Sequence, residues 1–161
     1  MGTITVTRAL NIDAARAWGA LADFGNIANF HPDLSGSRLL NGSANEGVGA
    51  ERRCDLKDRN YLVERVLDWQ DGRSYTVDIV ESSMPLRSAT ATLSVREIDA
   101  HHSEATMTIN MTMKFGLVGK IMEVLMVRAA MKRSMAGILR GLDDFVGTAP
   151  ASTGQPISAP A

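Results

Sequence analysis

Hydrophobic and polar positions alternate along most of the chain and give way to a helical rhythm only near its end. Met107, Ile109, Met111 and Met113 alternate with Thr106, Thr108, Asn110 and Thr112; Ala91, Leu93 and Val95 alternate with Thr92, Ser94 and Arg96; Tyr75, Val77 and Ile79 alternate with Thr76 and Asp78. Each of these segments has one apolar and one polar face, the mark of an antiparallel sheet wetted on one side. Strands are predicted over Thr3–Leu10, Asp33–Leu40, Gly47–Leu56, Tyr61–Trp69, Ser74–Glu81, Ser88–Ile98 and Glu104–Phe115. Asn41-Gly42, Lys57-Asp58-Arg59-Asn60, Asp71-Gly72 and the polar turn Asp99–Ser103 join successive strands, so an antiparallel meander is expected.

The stretch Leu117–Val146 has the period of a helix of about 30 residues, roughly 45 Å long. Leu117, Ile121, Val124, Leu125, Met131, Met135, Ile138, Leu139, Leu142 and Val146 fall on one stripe, which is the expected cover for the dry face of the sheet. Gly147 and Pro150 are its stop signals. Arg128 falls near the centre of the stripe with Lys132 beside it. A buried cation is costly unless paired or solvated, so either something polar lies under the helix or Arg128 snorkels to a rim carboxylate. Between the first two strands, Asp13 is the expected N-cap of a short helix Ala14–Ala22, and Phe24–Phe30 forms a further helical turn closed by His31-Pro32. Beyond Gly147 the tail is Pro-, Ala- and Ser-rich, so a folded unit over 1–147 and a disordered tail over 148–161 are expected.

Composition narrows the function classes. The chain has 161 residues, enough for one domain with a sizeable core, and its net charge of −1 gives no general drive toward nucleic acid or anionic lipid. No segment reads as a signal peptide or a membrane span, so a cytoplasmic protein without stable membrane insertion is expected. Cys54 is the only cysteine, and His31, His101 and His102 lack ligand spacing, so neither a metal site nor a cofactor is expected. Gly47-Val48-Gly49 opens a strand and lacks a third glycine, which makes it a turn or bulge rather than a phosphate cradle.

Alternation also points to a polar site. Arg52 shares a strand face with Val48, Ala50, Cys54 and Leu56, which puts it on the dry side. Glu64, flanked on its own face by Leu62 and Val66, would pair with Arg52 across the hairpin, but Val63, Leu67 and Trp69 argue for the opposite face. Seven methionines cluster on the last strand and the helix, as in a deformable cavity or a Met-rich core.

The order of these pieces resembles the START-like, Bet v1-like superfamily (SRPBCC), and within it the bacterial polyketide cyclase/dehydrase-type branch. The pieces that carry the likeness are Ala17-Trp18 through Leu21-Ala22-Asp23-Phe24, Asn29-Phe30-His31-Pro32, Gly47-Val48-Gly49-Ala50-Glu51-Arg52, Val63-Glu64-Arg65-Val66, Pro85-Leu86 and the final helix. One departure is His31, where many relatives carry a tryptophan before the proline. The resemblance implies an α+β helix-grip fold: a curved antiparallel sheet of about seven strands wrapped around the C-terminal helix, two short helices after the first strand, and a cavity between sheet and helix. It also implies a hydrophobic small-molecule ligand such as a lipid, polyketide, quinone or sterol-like compound.

Carriage of such a ligand is the leading expectation. A cyclase/dehydrase using His31 or Glu64 as acid/base is the alternative, and a protein-interaction module, including a homodimer, the third. The expected lining is Phe24, Phe30, His31, Arg52, Glu64, Tyr75, Leu93, Met107, Met111, Ile121, Leu125, Arg128 and Met135, with Arg52 and Arg128 as polar anchors. Access is expected between Phe24–Pro32 and Phe115–Ile121, with Gly25, Gly116 and Gly119 giving freedom and Phe24, Phe30, Phe115 and Leu117 forming an apolar lip.

Overall fold

The computed structural model of the chain describes residues 2–114 and 120–148, with side chains of the last helix from residue 125 onward. All seven alternating segments are strands: β1 (Gly2–Leu10), β2 (Leu34–Leu39), β3 (Glu51–Leu56), β4 (Tyr61–Gln70), β5 (Ser74–Ser82), β6 (Leu86–Asp99) and β7 (His102–Met113). After β1 come α1 (Ala14–Ala22) and a 3₁₀ segment, Phe24–Asn29, and the last element is α2 (Lys120–Thr148). The strand order is β1-β7-β6-β5-β4-β3-β2, antiparallel throughout, so the chain forms the expected meander with β1 added beside β7. Asp13 caps α1 by accepting from the Arg16 amide at 2.9 Å. The strand expected from Gly47 starts only at Glu51, because Gly47 and Gly49 hold φ of 89° and 87°, a turn geometry that a side chain would strain. Residues 115–119 and 149–161 lie outside the description, and with them the start of the expected helix, the access segment at Phe115–Gly119 and most of the expected tail.

Which face of β4 points inward is decided by two bulges. Arg52 pairs with Glu64 and Cys54 with Leu62, which puts Leu62, Glu64 and Val66 on the inner face. The register with β5 then slips at Leu67, between Val66↔Val77 and Asp68↔Thr76. That one extra residue resets the alternation, so Leu67 turns out to solvent and Trp69 comes back to the inner side opposite Tyr75. A second slip leaves Val80 of β5 unpaired and exposed, between Glu64↔Ile79 and Val63↔Glu81. Of the three residues that argued for the opposite face, only Trp69, beyond the bulge, turns inward; Val63 and Leu67 stay on the outer face.

The helix covers one part of the sheet. Met135, Ile138, Leu139, Leu142 and Val146 are buried against β1, β7 and α1, each contributing on the order of 1.5–3 kcal/mol as an upper estimate. Asp143 fixes the rotation of α2, accepting from Arg8 Nη2 at 3.3 Å and from the Asn11 amide at 3.1 Å. The helix runs one residue past Gly147, and the Thr148 hydroxyl donates to the Asp144 carbonyl at 2.8 Å. Among the described side chains the stripe is buried from Met135 onward, whereas Leu125 is 59% exposed and Arg128 is exposed, its guanidinium at the start of β1. The polar face of the sheet carries threonine pairs such as Thr5–Thr108 and Thr7–Thr106, a layer that fits water.

Candidate functional site

The most deeply buried charges lie where β3 and β4 cross the inner face. Arg52 is 1% exposed and Glu64 8%, and Arg52 Nε donates to Glu64 Oε2 at 2.5 Å. Arg52 Nη1 also donates to the Phe24 carbonyl at 2.8 Å, and the guanidinium lies 4.0 Å from the centre of the Phe24 ring. One side chain therefore ties the 3₁₀ segment to β3 and β4. Burial works against the Arg52 charge, but the Glu64 carboxylate outweighs it, and the guanidinium is held even more firmly protonated than usual. Beside the pair, Cys54 Sγ donates to Glu64 Oε2 at 3.7 Å, and burial together with that carboxylate pushes its thiol up to about 12. Such a thiol is an inert core group rather than a nucleophile.

An aromatic layer continues the site toward α1. Tyr75 stacks on Trp69 at 5.6 Å and meets Phe24 edge-on at 5.7 Å, while Trp18 packs edge-on against Trp69 at 5.3 Å. Trp18 Nε1 reaches Asp71 at 3.1 Å. The Tyr75 hydroxyl is buried with no hydrogen-bond partner among the described residues, and burial raises its pKa even though the Arg52 charge nearby opposes that.

His31 belongs to a different surface. It lines an open groove of about 420 Å³ together with Phe30, Pro32, Leu34, Lys57, Phe145 and neighbouring residues of α2. Phe30 and Phe145 face each other at 6.3 Å, Lys57 Nζ donates to the Pro32 carbonyl at 2.6 Å, and the Ser134 hydroxyl donates to Asp33. His31 Nδ1 accepts from the Asp33 amide at 3.2 Å, which leaves Nε2 as the protonated nitrogen of the neutral ring. Burial lowers its pKa from the ordinary 6.5, against the pull of Asp33 and Glu64 and with the help of Arg52. The folded state therefore takes up this proton at lower pH than the unfolded chain. Stability falls as pH drops below about 6.5 and stops falling once the folded-state ring has titrated. His31→Gln is expected to flatten melting temperature against pH in that window; an unchanged slope would show that other groups carry it.

The expected site residues fall into three sets. Phe24, Arg52, Glu64 and Tyr75 come together as the buried centre, and Phe30 and His31 meet in the groove. Leu93, Met107 and Met111 lie on the inner face of β6 and β7. Five expectations need correction. Phe24, Tyr75 and Met135 are 0% exposed, so none offers surface to a water-sized void; they are packed, not lining. Leu125 faces solvent, and Arg128 is no interior anchor, since its Nη2 reaches around the edge of β1 to the Thr3 carbonyl at 3.2 Å. Phe24 and Phe30 are buried rather than forming a lip, and Gly25 is a close-packing position whose Cβ would meet Leu39 Cγ at 2.9 Å. The side chain of Ile121 lies outside the description. Sequence reasoning missed Trp18 and Trp69, whose roles depend on the Leu67 bulge, and Phe145, which meets Phe30 in the groove. Among the described residues no group of three or more His, Cys, Asp or Glu side chains could hold a metal ion.

The layout of a curled sheet, a long helix and a buried Arg–Glu centre can be set beside known proteins. The family model for polyketide cyclase / dehydrase and lipid transport matches residues 1–146. The chain belongs to this family. No curated protein matches the chain. Among solved structures, the aromatase/cyclase Zhui from Streptomyces sp. R1128 superposes with a TM-score of 0.76 at 18% identity, covering 91% of this chain and 93% of its own. A START superfamily protein from Mycobacterium smegmatis gives 0.75 at 11% identity over 90% and 97% of the two chains. XoxI from Bacillus cereus gives 0.72 at 17% identity over 92% and 97%. At these identities the structures attest the START-like fold alone. Family membership supports ligand binding or cyclase chemistry and does not choose between them. No helix among the described residues is long and apolar enough to cross a membrane.

Proposed function

We propose that this family member binds and carries a hydrophobic small molecule between the inner face of the sheet and α2. The observation that carries the reading is the uneven cover of that face. The described part of α2 rests on β1, β7 and α1, while Leu56, Leu62, Ile79, Leu86 and Met113, all turned inward, stay only half-buried. An apolar concave surface left half-covered by the described part of the chain suits an apolar guest, and the Met107, Met111, Met113 run on β7 can repack around guests of different shape. Carriage is favoured over catalysis because the Glu64 carboxylate is already engaged by Arg52 and Cys54. An acid/base needs a proton within reach of substrate, and Oε2 of Glu64 is committed to the two core donors Arg52 and Cys54. The engaged Arg52 is likewise no free anchor for an acidic ligand, so the guest is held chiefly by apolar contact.

Native mass spectrometry of the purified chain, with solvent extraction of what it retains, tests this directly. A one-to-one apolar adduct, or saturable binding of oleate, is expected. Leu86→Asp should weaken oleate binding at least tenfold while the far-ultraviolet spectrum stays that of the parent. An empty protein that binds neither oleate nor an anilinonaphthalene dye sinks the reading.

A further inference from the structure

We propose that the exposed face of α2 over Leu125–Arg133 docks on the surface of an anionic lipid bilayer. Between Glu123 and Asp143 the helix carries Arg128, Lys132, Arg133 and Arg140 and no carboxylate, in a chain whose net charge is −1. The basic character is therefore local, and whole-chain composition hides it. Leu125 and Met126 are 59% and 70% exposed, and Ala129 and Ala130 beside them are exposed as well. At 100° per residue Lys132 points about 20° from Leu125 and Arg133 about 20° from Met126, so the cations follow the apolar patch on one face of the helix. Elsewhere Arg8, Arg38, Arg52, Arg53, Arg65 and Arg96 are each paired with a carboxylate, and exposed Arg59, Arg73 and Arg87 are in none of these pairs, so it is the clustering on one helix face that sets α2 apart. Lys132, Arg133 and Arg140 are exposed, and no carboxylate among the described residues pairs with them.

An apolar helical face followed by unpaired cations fits the boundary between headgroups and acyl chains, the apolar side chains entering and the cations meeting lipid phosphate. A protein partner of opposite charge would meet the cations, but it gives no reason for methionine and leucine to stand bare between them. The position along the sheet agrees. Arg128 reaches Thr3 at the start of β1, the same end of the sheet as Met113 and Leu86. Half-buried Ile79 and Leu62 lie at that end too, so the docking face and the least covered part of the inner face look the same way. The inference stands whether or not the interior holds a ligand, because vesicle binding and ligand retention are read separately.

Cosedimentation of the full chain with vesicles tests it. Vesicles of phosphatidylglycerol and phosphatidylcholine in about equal parts should bind the protein, pure phosphatidylcholine should not, and high salt should release it. Each cation removed costs about fivefold in partitioning, so Lys132→Gln with Arg133→Gln should weaken binding at least tenfold. Leu125→Ser with Met126→Ser should weaken it at equal charge. Both pairs are surface changes whose helical spectrum and melting are checked alongside. Equal binding to neutral vesicles, no binding at low salt, or variants that bind like the parent would each overturn the proposal. So would a concentration-dependent dimer abolished by Leu125→Ser in a protein that ignores vesicles, which would assign the face to a second copy of the chain.

Discussion

Glu64→Ala is expected to destabilise the protein by about 3–5 kcal/mol, the usual cost of removing one partner from a buried ion pair. Arg52 is 1% exposed and cannot shed its proton, so the variant keeps a guanidinium in the core with its Nε partner gone. The remaining contacts, the Phe24 carbonyl at 2.8 Å and the Phe24 ring at 4.0 Å, do not neutralise it. Arg52→Met combined with Glu64→Leu should recover much of the loss, since two apolar side chains of similar volume need no charge compensation. Recovery is incomplete because the buried Phe24 carbonyl loses its donor, worth about 1–3 kcal/mol. Urea unfolding of the parent, the single variant and the double variant measures all of this. A single variant that loses less than about 1 kcal/mol would mean that water reaches the pair.

That pair also marks how far the sequence can be read. Strict alternation along Glu51–Leu56 puts Arg52 inside, and the structure agrees. Alternation along β4 gives two answers because one residue, Leu67, is extra, and nothing in Val66-Leu67-Asp68 announces a bulge. Helical periodicity fails in a different way. It reports which positions share a direction but not how far the partner surface extends. Arg128 does lie on the direction of the buried stripe, yet it is exposed, and its long side chain reaches the Thr3 carbonyl of the edge strand instead. A stripe of ten positions was thus legible as a helix and illegible as a cover. The function followed the same division: the family pattern is spread over the whole chain, whereas the half-covered inner face depends on where α2 comes to rest.

The second large effect is expected at Gly141, a position with no sequence signal beyond a glycine inside a helix. A Cβ built there would lie 2.0 Å from the Phe30 carbonyl oxygen, so the helix backbone and the segment after the 3₁₀ turn touch directly. Backbone cannot yield as a flexible side chain does, and Gly141→Ala must push α2 away from Phe30. Overpacking of this kind costs about 1–3 kcal/mol, and the contact is short enough for the upper end, against a gain of about 1 kcal/mol in helix propensity. The net expectation is a loss of about 2 kcal/mol, with faster amide exchange over His31–Leu34 as the groove between Phe30 and Phe145 widens. Gly137→Ala one turn earlier is the internal control. Its Cβ would meet only Pro32 Cγ, at 3.2 Å, so propensity offsets crowding and the melting temperature should stay within a few degrees of the parent. If Gly141→Ala melts as high as Gly137→Ala, the close approach of α2 to Phe30 does not hold in solution, and the groove that His31 lines is wider than described.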